Sequence, residues 1–132
     1  MLVVDASVLV TALADDGGDG GLARNRLIGE ELAAPELIDL EVASGLRRLT
    51  SAGQLPERRS SLALADLMDL PIRRAPHRPL LQRCWELRAN LTIYDAAYIA
   101  LAEAMEVVLL TADERLARAS GPLCAIEVLR SS

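Results

Sequence analysis

The chain has 132 residues, 52% of them hydrophobic, and a net charge of -5 at pH 7. We expect residues 1–132 to form a single domain, because this length allows one substantial core and leaves little room for a second. The acidic balance argues against a protein that binds nucleic acid through a general basic surface. The sequence predicts neither a membrane span nor a signal peptide, so we expect a cytoplasmic protein with no membrane partner.

Strands and helices alternate along the sequence. The β-branched run LVVD at residues 2–5 predicts a strand, and Ser7 is a possible N-cap of the helix that follows. The stretch DDGGDGG at residues 15–21 predicts a flexible loop. The remaining predicted elements, in chain order, are helical spacing at 22–32, a long helix at 35–53, a helix at 55–70, a strand at 71–75, helices at 79–91 and 90–104, a strand at 107–111, a helix at 112–119 and a strand at 124–129.

This alternation predicts an α/β sandwich around a mainly parallel sheet. Ligands of such sheets bind at the carboxyl ends of the strands, near the point where the strand order reverses. Asp5 closes the first predicted strand, and Asp113 lies two residues after the strand that ends at Thr111. We therefore expect both acids at one rim of the sheet, although each also fits an ordinary turn or helix cap.

Two further acids border predicted apolar surfaces. Asp95 begins the almost wholly apolar helix IYDAAYIALAEA, where it fits a capping box with Thr92 and gains from the helix dipole. A capping role does not explain why Asp95 begins a helical face that continues with the apolar residues Ile99 and Ala102, and is therefore expected to be packed. Glu41 borders the apolar stripe of its own helix, as either a partly buried site residue or a solvated flank.

Considered together, the four acids favour a cation site. Unit charges about 4 Å apart repel by about 4 kcal/mol at an effective dielectric near 20, so clustered carboxylates need a compensating cation or must take up protons. Oxygen ligands of high charge suit Mg²⁺ or Mn²⁺, which complete their coordination with waters and phosphate oxygens. A bound metal would explain why Asp95 is tolerated at the start of an apolar helix.

All 14 basic residues are arginine, and several are adjacent, as in Arg47 and Arg48. The planar guanidinium suits phosphate or carboxylate partners, but solvated helix faces and ordinary ion pairs are the favoured explanation of any one such pair. The cysteines, Cys84 and Cys124, match no metal-binding spacing, and we assign them no role.

The sequence resembles the PIN-domain ribonucleases, and among them the VapC toxins of type II toxin-antitoxin pairs. Four motifs carry the resemblance, in the family's order and at its usual spacing, over nearly the whole chain. They are VVDASVL at residues 3–9, APELIDLEVASGLRRL at 34–49, LTIYDAAYIALAEA at 91–104 and LLTADERLARA at 109–119.

The resemblance implies a three-layer α/β/α fold and a Mg²⁺-dependent endoribonuclease in which Mn²⁺ can substitute. It also implies a homodimer, a cognate antitoxin that covers the acidic groove, and RNA targets such as tRNA or ribosomal RNA. The metal-coordinating, catalytic acids of the family map onto Asp5, Glu41, Asp95 and Asp113. Ser7 and Thr111 match the hydroxyl positions that support the metal site, and cap or turn roles are the alternative for both.

Two other functions remain open on the sequence. One is a PIN nuclease that acts in RNA maturation or decay without an antitoxin. The other is a non-catalytic module that uses the fold for interactions only, which the presence of all four acids disfavours.

Overall fold

A five-stranded parallel sheet organises the structure, a computed structural model that describes residues 1–130. The strand order is β3-β2-β1-β4-β5, so the chain builds outward from β1 on one side and then crosses to the other. The bounds of the strands are β1 Leu2–Val4, β2 Leu32–Pro35, β3 Ile72–Ala75, β4 Val108–Thr111 and β5 Ile126–Val128. The reversal of strand order therefore falls between β1 and β4.

The described residues also form seven α-helices, which with the sheet make the expected three-layer α/β/α sandwich. Helices α1 to α4 pack on one another, while α5 packs on α6, and α6 lies against β1, β2 and β4. A short 3₁₀ turn at Arg78–Leu80 leads into α5. The helices are α1 Ala6–Ala14, α2 Gly18–Leu27, α3 Ile38–Ser51, α4 Glu57–Asp69, α5 Leu81–Glu86, α6 Ile93–Met105 and α7 Glu114–Arg118.

The central strands are buried on both faces. In β1 and β4, Val3, Val4, Leu109 and Leu110 are fully buried, as expected for interior strands of a parallel sheet. Parallel pairing aligns Val4 of β1 with Leu110 of β4, so the residues that follow these strands emerge side by side. This register fixes where the polar residues of the rim must lie.

Most predicted elements are present, with two corrections. Strand β2 (Leu32–Pro35) was not predicted, because its segment LAAP has little β-branched character and is held mainly by pairing with β1 and β3. The predicted loop at residues 15–21 is wrong in its second half, where α2 begins at Gly18. Asp15 stabilises this start by accepting hydrogen bonds from the N–H groups of Gly17 and Gly20.

None of the helices in the described part of the chain has the length and apolar character needed to cross a membrane. The expected domain, residues 1–132, includes two final residues that lie outside the part described.

Helices α1 and α3 approach closely at Gly45. A Cβ atom added at Gly45 would lie 2.9 Å from Cγ2 of Val10, which is closer than carbon atoms pack without a shift. A Cβ added at Gly21 of α2 would meet no atom within 4 Å.

Gly45→Ala should therefore lower the free energy of unfolding by about 1 to 2 kcal/mol, because overpacking outweighs the gain in helix propensity. Gly21→Ala, the same substitution in open space, should raise it by up to about 1 kcal/mol. Urea denaturation of both variants measures the contrast. Equal effects of the two substitutions would show that the α1–α3 contact is not the constraint at Gly45.

Candidate active site

The central carboxylate of the rim, Asp5, follows β1 and occupies the N-cap position of α1. Its side chain is buried with only 8% of the residue exposed, and its N–H extends the sheet ladder by donating to the carbonyl of Leu110 at 2.9 Å. The strand-to-helix turn thus fixes the backbone of Asp5 on both sides. A carboxylate buried to this degree requires hydrogen-bond donors.

Two hydroxyls supply them. Thr111 Oγ1 donates to Asp5 Oδ2 at 2.7 Å, and Ser7 Oγ donates to the same oxygen at 2.9 Å. Each hydroxyl also accepts a backbone N–H, from Asp113 to Thr111 and from Ala112 to Ser7. The interpretation of Ser7 as a helix N-cap is wrong, since Ser7 lies inside the first turn of α1 and ties that turn to the segment after β4.

Glu41 reaches the rim from the first turn of α3. The hydroxyl of Tyr98, a fully buried residue of α6, donates to Glu41 Oε1 at 2.7 Å. Burial raises the pKa of the Glu41 carboxyl, the Tyr98 hydrogen bond opposes the rise, and the charges of Asp5 and Asp95 add to it. Tyr98 itself has a raised pKa, chiefly through burial, and remains a neutral donor.

Asp95 enters the site from the first turn of α6. Thr92 is the N-cap of this helix and accepts the N–H of Asp95 at 3.1 Å, which confirms the predicted cap. Burial raises the pKa of the half-buried Asp95 carboxyl, and the negative charges of Asp5 and Asp113 raise it further. The hydrogen bond with Thr92 and the charge of Arg115 oppose this rise.

Asp113 is the acid with a cationic neighbour. It caps α7 by accepting the N–H of Arg115 at 2.9 Å, and the Arg115 guanidinium contacts both of its carboxylate oxygens, with Nη2 and Oδ2 2.6 Å apart. The hydrogen bonds from Arg115 hold the pKa of the Asp113 carboxyl below its usual range.

One open cavity of about 610 Å³ brings these residues together. All four predicted acids and Ser7 line its walls, whereas Thr111 lies beneath the cavity and reaches it through Asp5. The cavity also continues along α3 toward its carboxyl end. The other residues lining it are Ala6, Val10, Ser44, Gly45, Arg48, Leu49, Ala52 and Gln54.

The donor set fits a hard cation that keeps part of its water shell. Throughout residues 1–130, no three acidic, histidine or cysteine side chains are close enough to enclose a metal ion by themselves. Mg²⁺ is usually held by one or two carboxylates, with waters and substrate oxygens completing its octahedron. Burial raises the pKa of Glu41 and of Asp95, and neighbouring carboxylates raise both further, so a cation in the open cavity would relieve this repulsion.

Comparison with known proteins identifies the family. Residues 2–122 match the model of the PIN domain. The chain belongs to the PIN-domain family. It is 44% identical over 129 residues to ribonuclease VapC9 of Mycobacterium tuberculosis, covering 98% of both chains, which places it among the VapC proteins of that family.

Solved structures share the fold of this PIN domain. VapC20 of M. tuberculosis, a sarcin-ricin loop cleaving toxin, superposes with a TM-score of 0.66 at 15% identity, covering 83% of this chain and 87% of VapC20. A toxin-antitoxin complex from Klebsiella pneumoniae contains a chain with a TM-score of 0.67 at 18% identity, and the match covers all of both chains. These likenesses confirm the predicted α/β/α architecture.

Three residues near the acids of this PIN domain had no role in the sequence analysis. Tyr98 follows Asp95 by three residues, a helical spacing that places both on one face and could have drawn attention to its hydroxyl. Arg115 lies two residues after Asp113, a separation that a turn can close. Arg48 was noted only as one member of an adjacent pair.

The pKa values of Asp95 and Asp113 are shifted in opposite directions, so neutralising each acid should have opposite effects on the stability of the folded protein. Ionised Asp95 has a raised pKa, so it costs stability at neutral pH and the cost disappears as pH falls toward the ordinary value of 3.8. Ionised Asp113 has a lowered pKa, so its stabilisation is complete above 3.8 and is lost only as pH falls through its folded-state value.

In EDTA at pH 7.5, Asp95→Asn should therefore raise the melting temperature by a few degrees and Asp113→Asn should lower it by a similar amount. The gain from Asp95→Asn should shrink on going to pH 4, whereas the loss from Asp113→Asn should persist there. Thermal melts at both pH values test this, and shifts of the same sign in the two variants would contradict it.

Proposed function

We propose that this PIN domain is a Mg²⁺-dependent endoribonuclease, with Mn²⁺ able to substitute, and the toxin of a type II toxin-antitoxin pair. The observation that carries the proposal is the single cavity lined by Asp5, Glu41, Asp95 and Asp113. The ribonuclease name of the M. tuberculosis relative supports the reaction class.

In the proposed mechanism, the chain positions carboxylates around one phosphodiester of RNA. Asp5 is held in one orientation by Ser7 and Thr111, and both hydroxyls donate to Oδ2, so Oδ1 of Asp5 has no hydrogen bond from the described residues. Tyr98 similarly holds Oε1 of Glu41. Hydroxyl donors thus fix the carboxylates of Asp5 and Glu41. In each carboxylate the second oxygen would be available to a cation.

Asp5, Glu41 and Asp95 would hold the cation, and Asp113 would join them by exchanging its contact with the exposed Arg115. A cation bound there supplies charge neutralisation at the phosphate and lowers the pKa of water. Water would attack phosphorus in line with the departing 3′-oxygen and lose a proton to solvent. The P–O3′ bond would break as the 3′-oxygen takes up a proton, so that the products carry a 5′-phosphate and a 3′-hydroxyl. We propose tRNA or ribosomal RNA as the substrate and the cytoplasm as the place of action.

We also propose two protein partners. The cognate antitoxin would cover the acidic cavity, a proposal supported by the toxin-antitoxin complex from K. pneumoniae that shares this fold. A second copy of the chain would pack against the apolar surface of α5 and the start of α6. Leu81, Trp85 and Tyr94 there are each more than half exposed, and a homodimer would bury them.

Cleavage of total RNA by purified, antitoxin-free protein tests the nuclease proposal. Mg²⁺ or Mn²⁺ should support cutting, EDTA should stop it, and Asp5→Asn or Asp95→Asn should reduce it by about 100-fold or more, as removal of one transition-state stabiliser typically does. Asp66→Asn is the matched control, since Asp66 is an exposed acid of α4 that does not line the cavity.

Full activity in both Asp5→Asn and Asp95→Asn would refute the site assignment. Absence of any cutting by folded protein, on RNA from several sources, would instead favour the non-catalytic interaction module. Cleavage that no co-expressed protein inhibits would favour an RNA maturation or decay nuclease.

Metal binding can be tested without catalysis through thermal stability. Mg²⁺ or Mn²⁺ at about 100 times its dissociation constant should stabilise the native state by about 2.7 kcal/mol, because the acids converge only in the folded chain. Tyr98→Phe keeps the buried ring but removes the donor to Glu41, so it should weaken metal affinity by about 10-fold or more.

The metal concentration that gives half of the maximal melting-temperature shift measures this affinity. Tyr94→Phe is the control, because Tyr94 is an exposed tyrosine of the same helix. The proposal fails if wild-type protein melts at the same temperature with and without millimolar metal. An equal response of the two tyrosine variants would remove Tyr98 from its positioning role.

A further inference from the structure

The acidic cavity contains one basic side chain among the described residues that line it, Arg48 of α3. The four acids lie at one end of this cavity, and Leu49, Ala52 and Gln54 line its extension along α3. Arg48 lies between these two parts. An anionic strand that reaches the acids from this direction therefore passes the guanidinium.

Helical spacing places Arg48 on this face. Glu41, Gly45, Arg48 and Ala52 recur at intervals of three or four residues, so they share one side of α3. Nη2 of Arg48 lies 3.7 Å from the position that a Cβ of residue 45 would occupy, which is ordinary van der Waals range. The guanidinium thus folds back toward the acids, over the glycine.

The donors of Arg48 are largely unused. Its Nη1 donates to Ser44 Oγ at 3.1 Å, and no ion pair joins Arg48 to a carboxylate within residues 1–130. Other arginines of the chain are committed, as in the bidentate pairs of Arg74 with Asp39 and of Arg83 with Glu103. A guanidinium has five N–H donors, so Arg48 can still bind a further anion through several of them.

The two arginines on the other side of the acids are already engaged. A second cavity, which shares Asp95 with the first, is lined by Arg88 and Arg115. Arg115 pairs with Asp113, and Arg88 stacks over the Trp85 ring with its guanidinium carbon 4.3 Å from the ring centroid. Of the arginines that line these two cavities, Arg48 is therefore the one with neither an ion pair nor a ring contact among the described residues, and its availability does not depend on whether Asp113 exchanges Arg115 for a cation.

We propose that Arg48 binds a phosphate of the RNA strand next to the one that is cleaved, and so positions the strand over the acids. The inference rests on the proposed nuclease function. The Arg48 guanidinium lies beside Gly45, four residues or about 6 Å along the helix axis from Glu41, and forms no ion pair with the described acids, which favours an adjacent phosphate over the scissile one. The bidentate geometry of arginine matches a phosphate.

Arg47 provides a matched control. It is the preceding residue of the same helix, is also exposed, and lines a different cavity together with Thr50, Glu57 and Ser61. Arg47→Ala and Arg48→Ala therefore remove the same charge from the same helix on different faces. Because both residues are exposed, both variants should fold with wild-type melting temperatures.

In steady-state cleavage of a short RNA, Arg48→Ala should raise KM by about 10-fold or more with little change in kcat, as expected for loss of a charged contact present in both ground and transition states. Arg47→Ala should leave both constants unchanged. Arg48→Lys keeps the charge without the planar fork, so it should recover part of the affinity.

Binding of the same RNA to Asp95→Asn protein, followed by fluorescence anisotropy at several salt concentrations, gives a readout without turnover. Adding Arg48→Ala should reduce the slope of log affinity against log salt by about 0.7, the value for one phosphate contact on a single strand. Adding Arg47→Ala should leave the slope unchanged. A neutral methylphosphonate beside the cleavage site should abolish the difference between Arg48 and Arg48→Ala.

The proposal is overturned if Arg48→Ala and Arg47→Ala behave alike, or if Arg48→Ala lowers kcat while KM is unchanged. It is also overturned if Arg48→Ala weakens only the complex with an antitoxin and not RNA binding. These results leave wild-type cleavage intact, so they are distinguishable from failure of the nuclease function, in which wild-type protein neither cuts nor binds RNA.

Discussion

The buried carboxylate of Asp5 is the constraint around which this site is built. It lies where β1 ends and α1 begins, and two hydroxyls from different segments make its burial possible. Thr111 can supply one of them only because β4 is the parallel neighbour of β1 and ends level with it. The point at which the strand order reverses thus provides both the position of Asp5 and the donors that hold it.

The same hydrogen bonds extend outward from Asp5 to the acid that follows β4. Thr111 accepts the N–H of Asp113, and Ser7 accepts the N–H of Ala112, so the turn after β4 is fixed by the residues that fix Asp5. A substitution at either hydroxyl would disturb two acids together. Ser7 and Thr111 are therefore best understood as positioning residues of the rim rather than as independent caps.

Charge is concentrated at this rim at a cost to stability. Glu41 and Asp95 both have raised pKa values, with burial as the main cause and neighbouring carboxylates adding to it. A fold selected only for stability would replace such groups, because uncompensated like charges repel strongly when solvent is excluded. A bound cation would offset this repulsion, and in this way the proposed metal dependence follows from the arrangement of the acids at the rim.

Sequence patterns predicted the alternating architecture and the four acids because both depend on local features. Strong apolar runs mark β1 and β4, and acids directly after such strands must lie at the carboxyl rim. Strand β2 was not predictable in this way, since LAAP owes its conformation to neighbours on both sides. The start of α2 depends on Asp15 bonding two glycine N–H groups, in a segment whose composition resembles a loop.

Long-range partners were the main features that the sequence did not reveal. Tyr98 is 57 residues from Glu41, and only the packing of α6 near the start of α3 brings its hydroxyl to that carboxylate. Arg48 has helical spacing from Glu41, but the sequence does not show that this face of α3 lines a cavity. The structure shows the cavity, and it shows α1 packed closely against the same face at Gly45. The absence of a side chain at Gly45 allows that approach, and Nη2 of Arg48 lies in van der Waals range of the same position. Gly45 and Arg48 thus lie on one face of α3, where the helix packs against α1 and where Arg48 is the only basic group among the described residues that line the cavity.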